Sequence, residues 1–380
     1  MVMEITPVYD TANLTKSELF RRGQNHARIC YTKEDWPTLL DEEYSPGLVE
    51  GRLLKGGHQS PFGHDRLQFY ISGIPKAGAM LLNNQAVYNT SEKSARYTVM
   101  TDISPAQKGI YDKWLDIFKD EIDSIYPDRF KDRDARIAKM AQENARYVTS
   151  VFTPTKMSYS IEFRELNVLL DRFNQFIGSN VDGEFNNKLA QFATDFISSP
   201  AFEEFAVPEL KDKYPRNADM HFFGDSVEDH FGDTYSTNLD VSFAALAQLQ
   251  RHRTISHRVV AGYRLGAPNG FFVPPVIEGN ADLTNEWLGD LSDIAETDFP
   301  QAQLITISER GNREDLQLKS FERICGLAQL ETARAVKKVI DRFGHVDPGA
   351  KKWGEPECLD DVCHKGGCVF GGNNATERLL

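Results

Sequence analysis

Apolar positions recur at helical spacing over much of the chain. Ser17–Ile29 reads as a helix with Arg21, Arg22 and Arg28 on its polar side. Leu67–Ile71 alternates and is aromatic, the pattern of a strand, and Pro75–Gln85 follows as a helix with proline near its first turn. In Pro105–Tyr126 the residues Ile110, Trp114, Ile117, Phe118, Ile122 and Ile125 share one face, and are read as core. The pattern then predicts a helix over Asp132–Arg146, a strand over Lys156–Phe163, and helices over Leu166–Phe176 and Phe185–Ile197. Later come an apolar helical run, Val241–Leu249, a helix over Leu283–Thr297 and a strand over Ala302–Ser308. Two more helices are expected, Arg313–Gly326 and Ala328–Phe343, the second with Glu331, Arg334, Lys337 and Lys338 on its polar side. Ala206–Asp219, rich in proline and charge, reads as a linker. His221–Ser236 reads as a solvated loop: Asp225, Asp229, His230 and Asp233 lack a metal-ligand spacing.

Composition narrows the class. The chain has 380 residues, 41% hydrophobic and 26% charged, enough for two or three soluble domains. A net charge of −13 argues against nucleic acid and acidic membranes as partners. No apolar run is long enough to span a bilayer, and the first residues lack a signal-peptide pattern. Five cysteines, two alone and three in the tail (Cys358, Cys363, Cys368), fit a reducing cytoplasm better than a disulfide scaffold. The tail order C-x4-C-H-x3-C matches no familiar zinc knuckle, so no metal is expected.

Charge placement points to a site. Gln248–Arg264 holds Arg251, His252, Arg253, His257, Arg258 and Arg264, and the 37 residues from Val241 to Ile277 contain no acid. With 56 acids in 380 residues, such a window should hold about five. Cations so unopposed in an acidic chain suit a phosphate or pyrophosphate; a basic helix end is the plainer reading. Ser91–Tyr97 (SEKSARY) places Glu92, Ser94 and Arg96 where a phosphate and a sugar or base would be met, or where a cap and a surface arginine would serve. The order helix, polar segment with arginine, long helix, strand, helix occurs over roughly 57–197 and again over 219–343, an internal repeat.

These motifs resemble those of the flavin-dependent thymidylate synthases. That family carries R-H-R, a glutamine three residues before it, and then S, N-E, S and R-Y at fixed steps. Gln248, Arg251, His252, Arg253 and Ser256 match the first part; Arg258-Val259, Ala261 and Tyr263-Arg264 depart from the second. The first copy is the reverse: Asn84, Gln85 and Ala86 replace R-H-R, while Glu92, Ser94, Arg96 and Tyr97 keep the end. Arg146 matches an A-R block, with Glu162 and Arg164 at its N-x-R. In the second copy Asn312 keeps the asparagine and Glu296 stands where arginine should be. Arg323 precedes Ala328, Gln329 and Glu331 as the family's arginine precedes A-Q-x-E, and His58–His64 resembles H-x-S-x-F-E-H with Gly63 for the glutamate.

The resemblance implies an α/β (α+β) fold: two related repeats, each a mostly antiparallel sheet packed with helices, forming a pseudo-dimer. The repeats would span 1–205 and 206–345, with a Cys/Gly-rich tail over 346–380. It implies methylation of dUMP with methylenetetrahydrofolate and NADPH, at a composite site between repeats. FAD would be held by Arg251, His252, Arg253, Asn312 and His64, and the nucleotide by Gln248, Glu92, Ser94, Arg96, Arg146 and Arg323. Arg323 would also act catalytically at the pyrimidine edge. A homodimer forming a pseudo-tetramer in the cytoplasm is the expected assembly. Other flavin chemistry on a pyrimidine nucleotide, and non-catalytic binding, are the alternatives.

Overall fold

The computed structural model describes residues 2–85, 88–98, 102–126, 132–179, 182–211, 222–260 and 269–356. In chain order the elements are β1 (Glu4–Pro7), α1 (Lys16–Arg28), α2 (Trp36–Leu40), β2 (Arg66–Pro75), α3 (Lys76–Leu82) and β3 (Tyr88–Glu92). There follow α4 (Pro105–Ile125), α5 (Arg133–Ala145), β4 (Pro154–Glu162), α6 (Phe163–Gly178) and α7 (Glu184–Ile197). The remainder comprises β5 (Phe223–Gly224), β6 (His230–Phe231), β7 (Thr234–Ser242), α8 (Phe243–Leu249), β8 (Ser256–Val260), α9 (Pro275–Glu278), α10 (Ala281–Ala295), β9 (Leu304–Asn312), α11 (Arg313–Arg323) and α12 (Leu330–Val346). The chain is thus mixed helix and sheet, as expected. Its residues divide into two compact units that interleave in sequence: 1–93 with 154–221, and 94–153 with 222–380.

The first unit holds an antiparallel sheet in the order β1-β2-β4-β3. Gly73, at φ 71°, allows the bulge where the β2–β4 register shifts. Alternation along β2 and β4 sends Leu67, Phe69, Ile71, Met157, Tyr159 and Ile161 inward. Aromatic edges close the core, Phe69 against Phe202 at 5.3 Å and Phe173 against Phe196 at 5.3 Å. Ala206–Leu210 is packed here too: Val207 and Leu210 are buried and the Val207 N–H donates to Asn167 Oδ1 at 2.6 Å. Burial of its apolar residues thus removes this part of the expected linker; residues 212–221 lie outside the described set.

The second unit holds a sheet in the order β5-β8-β9-β7-β6, antiparallel except for β5 with β8. Two of its strands correct the sequence reading. β7 runs through the end of the expected loop and the start of the expected helical run; its inward positions are Tyr235, Thr237, Leu239 and Val241. β8 lies inside the basic stretch, where Val259 and Val260 favour extended chain. Glu331 is also corrected: it is buried, not on a polar face, because Tyr147 and Ser242 satisfy its carboxyl. The cysteines of the tail, and Ala86, Ala261, Tyr263 and Arg264, lie outside the described residues.

Helices α4, α5, α9 and α10 share one core in this unit. Trp287 sits edge-on to Trp114 at 4.8 Å, with Phe118 at 5.5 Å, and its Nε1 donates to the Phe272 carbonyl at 2.9 Å. Trp287→Ala should therefore cost about 3–5 kcal/mol, the range for emptying a buried aromatic site. A urea titration that shifts by under ~1 kcal/mol would contradict this packing.

Candidate functional site

The basic stretch begins where α8 ends. Backbone bonds from Gln250 N to Leu246 O (3.0 Å), Arg251 N to Gln248 O (3.3 Å) and His252 N to Leu249 O (3.1 Å) carry the last helical turn into a tight bend. Ile255 N then donates to His252 O at 3.0 Å and β8 starts. The bend turns His252 inward and leaves Arg253 exposed, with Arg251 half-buried.

Arg323 is the last residue of α11, where a cation suits the helix dipole. Its Nε donates to His252 Nε2 at 2.9 Å and its terminal nitrogen to the Gln248 carbonyl at 3.4 Å. A guanidinium only donates, so His252 Nε2 carries no proton and the ring is neutral. Burial, then Arg323 and Lys319, holds the imidazole down to about 3. The Glu322 carboxylate at 3.7 Å from Nε2 is therefore a neighbour and not an ion-pair partner. Arg323 itself is pushed down by burial, with Arg96 and Arg251 adding like-charge repulsion.

A second chain of bonds starts just past α5. Arg146, buried, donates to Gln329 Oε1 at 2.5 Å and to the Glu143 carbonyl at 3.2 Å. Gln248 Nε2 donates to the same Gln329 oxygen, and Gln329 Nε2 donates to the Tyr147 hydroxyl. Tyr147 donates to Glu331 Oε2 at 2.6 Å, and Ser242 reaches Glu331 with its N–H at 2.8 Å and its hydroxyl at 2.7 Å. Burial raises the Glu331 carboxyl against these bonds. The acceptor at the far end sets the direction of every bond, which leaves Gln248 Oε1 buried without a hydrogen-bond partner. Arg96 pairs with Glu143 through Nε at 2.7 Å and donates to the Leu327 carbonyl at 3.1 Å.

One compact unit thus holds Arg96 and Arg146 from the first half of the sequence, and Gln248, Arg251, His252 and Arg323 from the second. Ser94 lies in the same unit and its Oγ accepts from Arg96 N at 3.3 Å. Asn312 is exposed at the join of β9 and α11 and its side chain does not cap the helix. Two expected residues belong to the first unit. Glu92 has a side chain 1% exposed and gives its carboxylate to Lys76 and Asn83. His64 is exposed and stacks on His26 at 3.9 Å. Burial, then His64, lowers the His26 imidazole. Gly63 also has a local explanation, since a side chain there would meet Glu162 Oε2 at 3.3 Å.

The sequence reading missed Gln329 and Tyr147 as a bonded pair, and missed Lys319 and Glu309 altogether. The available signal was an acid, Glu309, continuing the inward series Ile305, Ile307 of a strand.

Residues 18–173 match the family described as thymidylate synthase complementing protein. The matched segment, under half of the 380 residues, is similar to the flavin-dependent thymidylate synthases. The match includes Arg96 and Arg146 and stops before the second sheet. No curated protein matches the chain in sequence. Among solved structures, thymidylate synthase X of Helicobacter pylori with FAD and dUMP is 17% identical, over 55% of this chain and 100% of that one, with a TM-score of 0.33. The UMP/dUMP methylase PolB of Streptomyces cacaoi with 5-Br dUMP is 19% identical, over 44% of this chain and 76% of that one, with a TM-score of 0.29. Likenesses so distant transfer no residue's role. No helix among the described residues is long and apolar enough to cross a membrane.

The His252 geometry has a pH consequence. Its folded value, about 3, lies below the unfolded value near 6.5, so the unfolded chain takes up the proton first as pH falls. The stabilisation is full above pH 6.5 and is lost as pH falls toward 3. The gap in unfolding free energy between wild type and His252→Gln should shrink by about 1–2 kcal/mol between pH 6.5 and 5. An unchanged gap over that range would mean an ordinary, solvated imidazole.

Proposed function

We propose that the chain methylates the uracil ring of dUMP, with FAD as resident flavin, methylenetetrahydrofolate as carbon donor and NADPH as reductant. The site is composite, built from the two sequence halves. The observation that carries this reading is the convergence of Arg96, Arg146, Arg251 and Arg323 in one unit of an acidic chain. Coulomb repulsion among them is relieved by an anion of fixed geometry.

Tandem duplication supports the composite reading. The strand orders β2-β4-β3 and β7-β9-β8 correspond. Each outer strand leads to a helix of 7 residues and then to a strand of 5 residues. Each central strand runs straight into a helix, at Glu162–Phe163 and at Asn312–Arg313. The strand registers put Asn84 and Gln85 opposite Arg251 and His252 in this comparison, as the motifs do, once the bulge at Gly73 is allowed for. Each half therefore lacks a fragment that the other keeps.

The donor set fits a flavin dinucleotide: two guanidiniums, Arg251 and Arg253, flank a neutral imidazole. The arginines bind the pyrophosphate by planar two-point hydrogen bonds, and Asn312 adds a polar contact. The flavin, when bound, supplies the reducing equivalents. Ser94 and Arg96 bind the dUMP phosphate, with Arg146 beside them. Gln248 Oε1 accepts a substrate N–H, and Arg323 stabilises negative charge developing at the pyrimidine carbonyl edge. Glu92, held by Lys76 and Asn83, serves as a structural acid. Two chains form a pseudo-tetramer with half the family's number of working sites.

The commitment of Glu92 favours one further reading, modification of another pyrimidine nucleotide by the same flavin. Release of tritium from 5-labelled dUMP in the presence of folate and NADPH supports the first reading; binding without release supports the second. Purified protein should be yellow. Arg251→Ala should lose the flavin band. Arg96→Ala should keep it and weaken dUMP binding by about 1.5–3 kcal/mol, the value of hydrogen bonds to a charged group, roughly 10- to 150-fold. Loss of flavin alone from Arg96→Ala would reverse this division of labour.

A further inference from the structure

A buried ion cluster lies beside His252. Glu309, on the central strand β9, takes a bond from the Tyr235 hydroxyl on Oε1 at 2.6 Å. Its Oε2 is ion-paired to Lys319 of α11 and faces His257 Nε2 at 3.1 Å. Glu309, Lys319 and His257 are at most 1% exposed. Burial raises the Glu309 carboxyl, but Lys319 and His257 outweigh it and hold it below the usual carboxylate range.

Taking such charges out of water is costly, and apolar residues of similar size would serve the core as well or better. The first sheet places no charge there. At its register-matched positions stand Tyr159 for Glu309, Thr90 for His257, Leu67 for Tyr235 and Leu169 for Lys319. The shared fold therefore does not require the charges. They occur in the sheet whose helix ends in Arg323, and Lys319 precedes Arg323 by one helical turn.

We propose that Glu309 and Lys319, with His257 and Tyr235, are positioning residues that fix the rotation and axial register of α11, so that Arg323 meets His252. The role of the positioned pair in nucleotide and flavin binding rests on the function proposed above. The alignment of Arg323 on His252 does not.

The test transplants the first sheet's residues: Glu309→Tyr, Lys319→Leu and His257→Thr together. A second variant, Glu309→Gln with Lys319→Met, keeps the shape and removes the charges. The expected result is cooperative unfolding in urea, at least a 10-fold loss of dUMP affinity by calorimetry, and loss of the Arg323 Nε–His252 Nε2 contact in the variant's crystal structure. A folded variant whose Arg323–His252 contact and dUMP affinity both match wild type overturns the proposal. Failure of both variants to unfold cooperatively also overturns it, since the cluster would then be needed for folding itself. If wild type binds no dUMP, the proposed function fails, and the Arg323–His252 contact in the variant alone still decides the positioning role.

Discussion

A buried guanidinium cannot shed its proton, so the second unit has to supply acceptors wherever Arg146 and Arg323 go under. It does so mostly with neutral groups. Gln329 and the Glu143 carbonyl serve Arg146; the His252 ring and the Gln248 carbonyl serve Arg323. Neutral acceptors satisfy the hydrogen bonds and leave the charge. That choice makes a local cationic field possible in a chain of net charge −13.

The same constraint explains why the surroundings are so closely bonded. An amide serves as acceptor only if its other end is held. Gln329 is held by Tyr147, Tyr147 by Glu331, and Glu331 by Ser242 at the start of α8. The line therefore returns to the helix that presents Gln248 and the Arg251–Arg253 bend. His252 must likewise stay neutral to accept, and Arg323 and Lys319 beside it oppose its protonation. Glu309, close enough to act on His252, is itself fully engaged with Lys319, His257 and Tyr235.

Much of the helical scaffold was legible in the pattern, because α1, α4, α5, α6, α7 and α10 each bury one stripe and alternate little. The second sheet was harder. In β7 two of the four inward positions are Tyr235 and Thr237, and the polar residues between them look like loop. β8 is five residues long and follows three charged or ionisable ones, so charge drew the eye before the extended pattern did. Arg96, Arg146, Arg251 and Arg323 were legible as candidates because motifs carry them. Their acceptors were not, since Gln329 and Tyr147 acquire meaning only when residues more than 180 positions apart are bonded. Glu331 was misassigned for the same reason: one acid among Arg334, Lys337 and Lys338 looks like surface until its partners are known.

On the proposed tandem reading, relaxed constraint after duplication accounts for the uneven motifs of the two halves. Once two copies sit in one polypeptide, each motif needs to survive in only one of them, and the other position is released to packing. Asn83, Lys76 and Glu92 show what release looks like: the acid left without an adjoining R-H-R has turned inward to a lysine and an amide. Gly63 and Glu162 show it again, one position having shrunk where the other's carboxylate now reaches. On the same reading, the second sheet carries ions at Glu309 and Lys319 where the first sheet holds Tyr159 and Leu169.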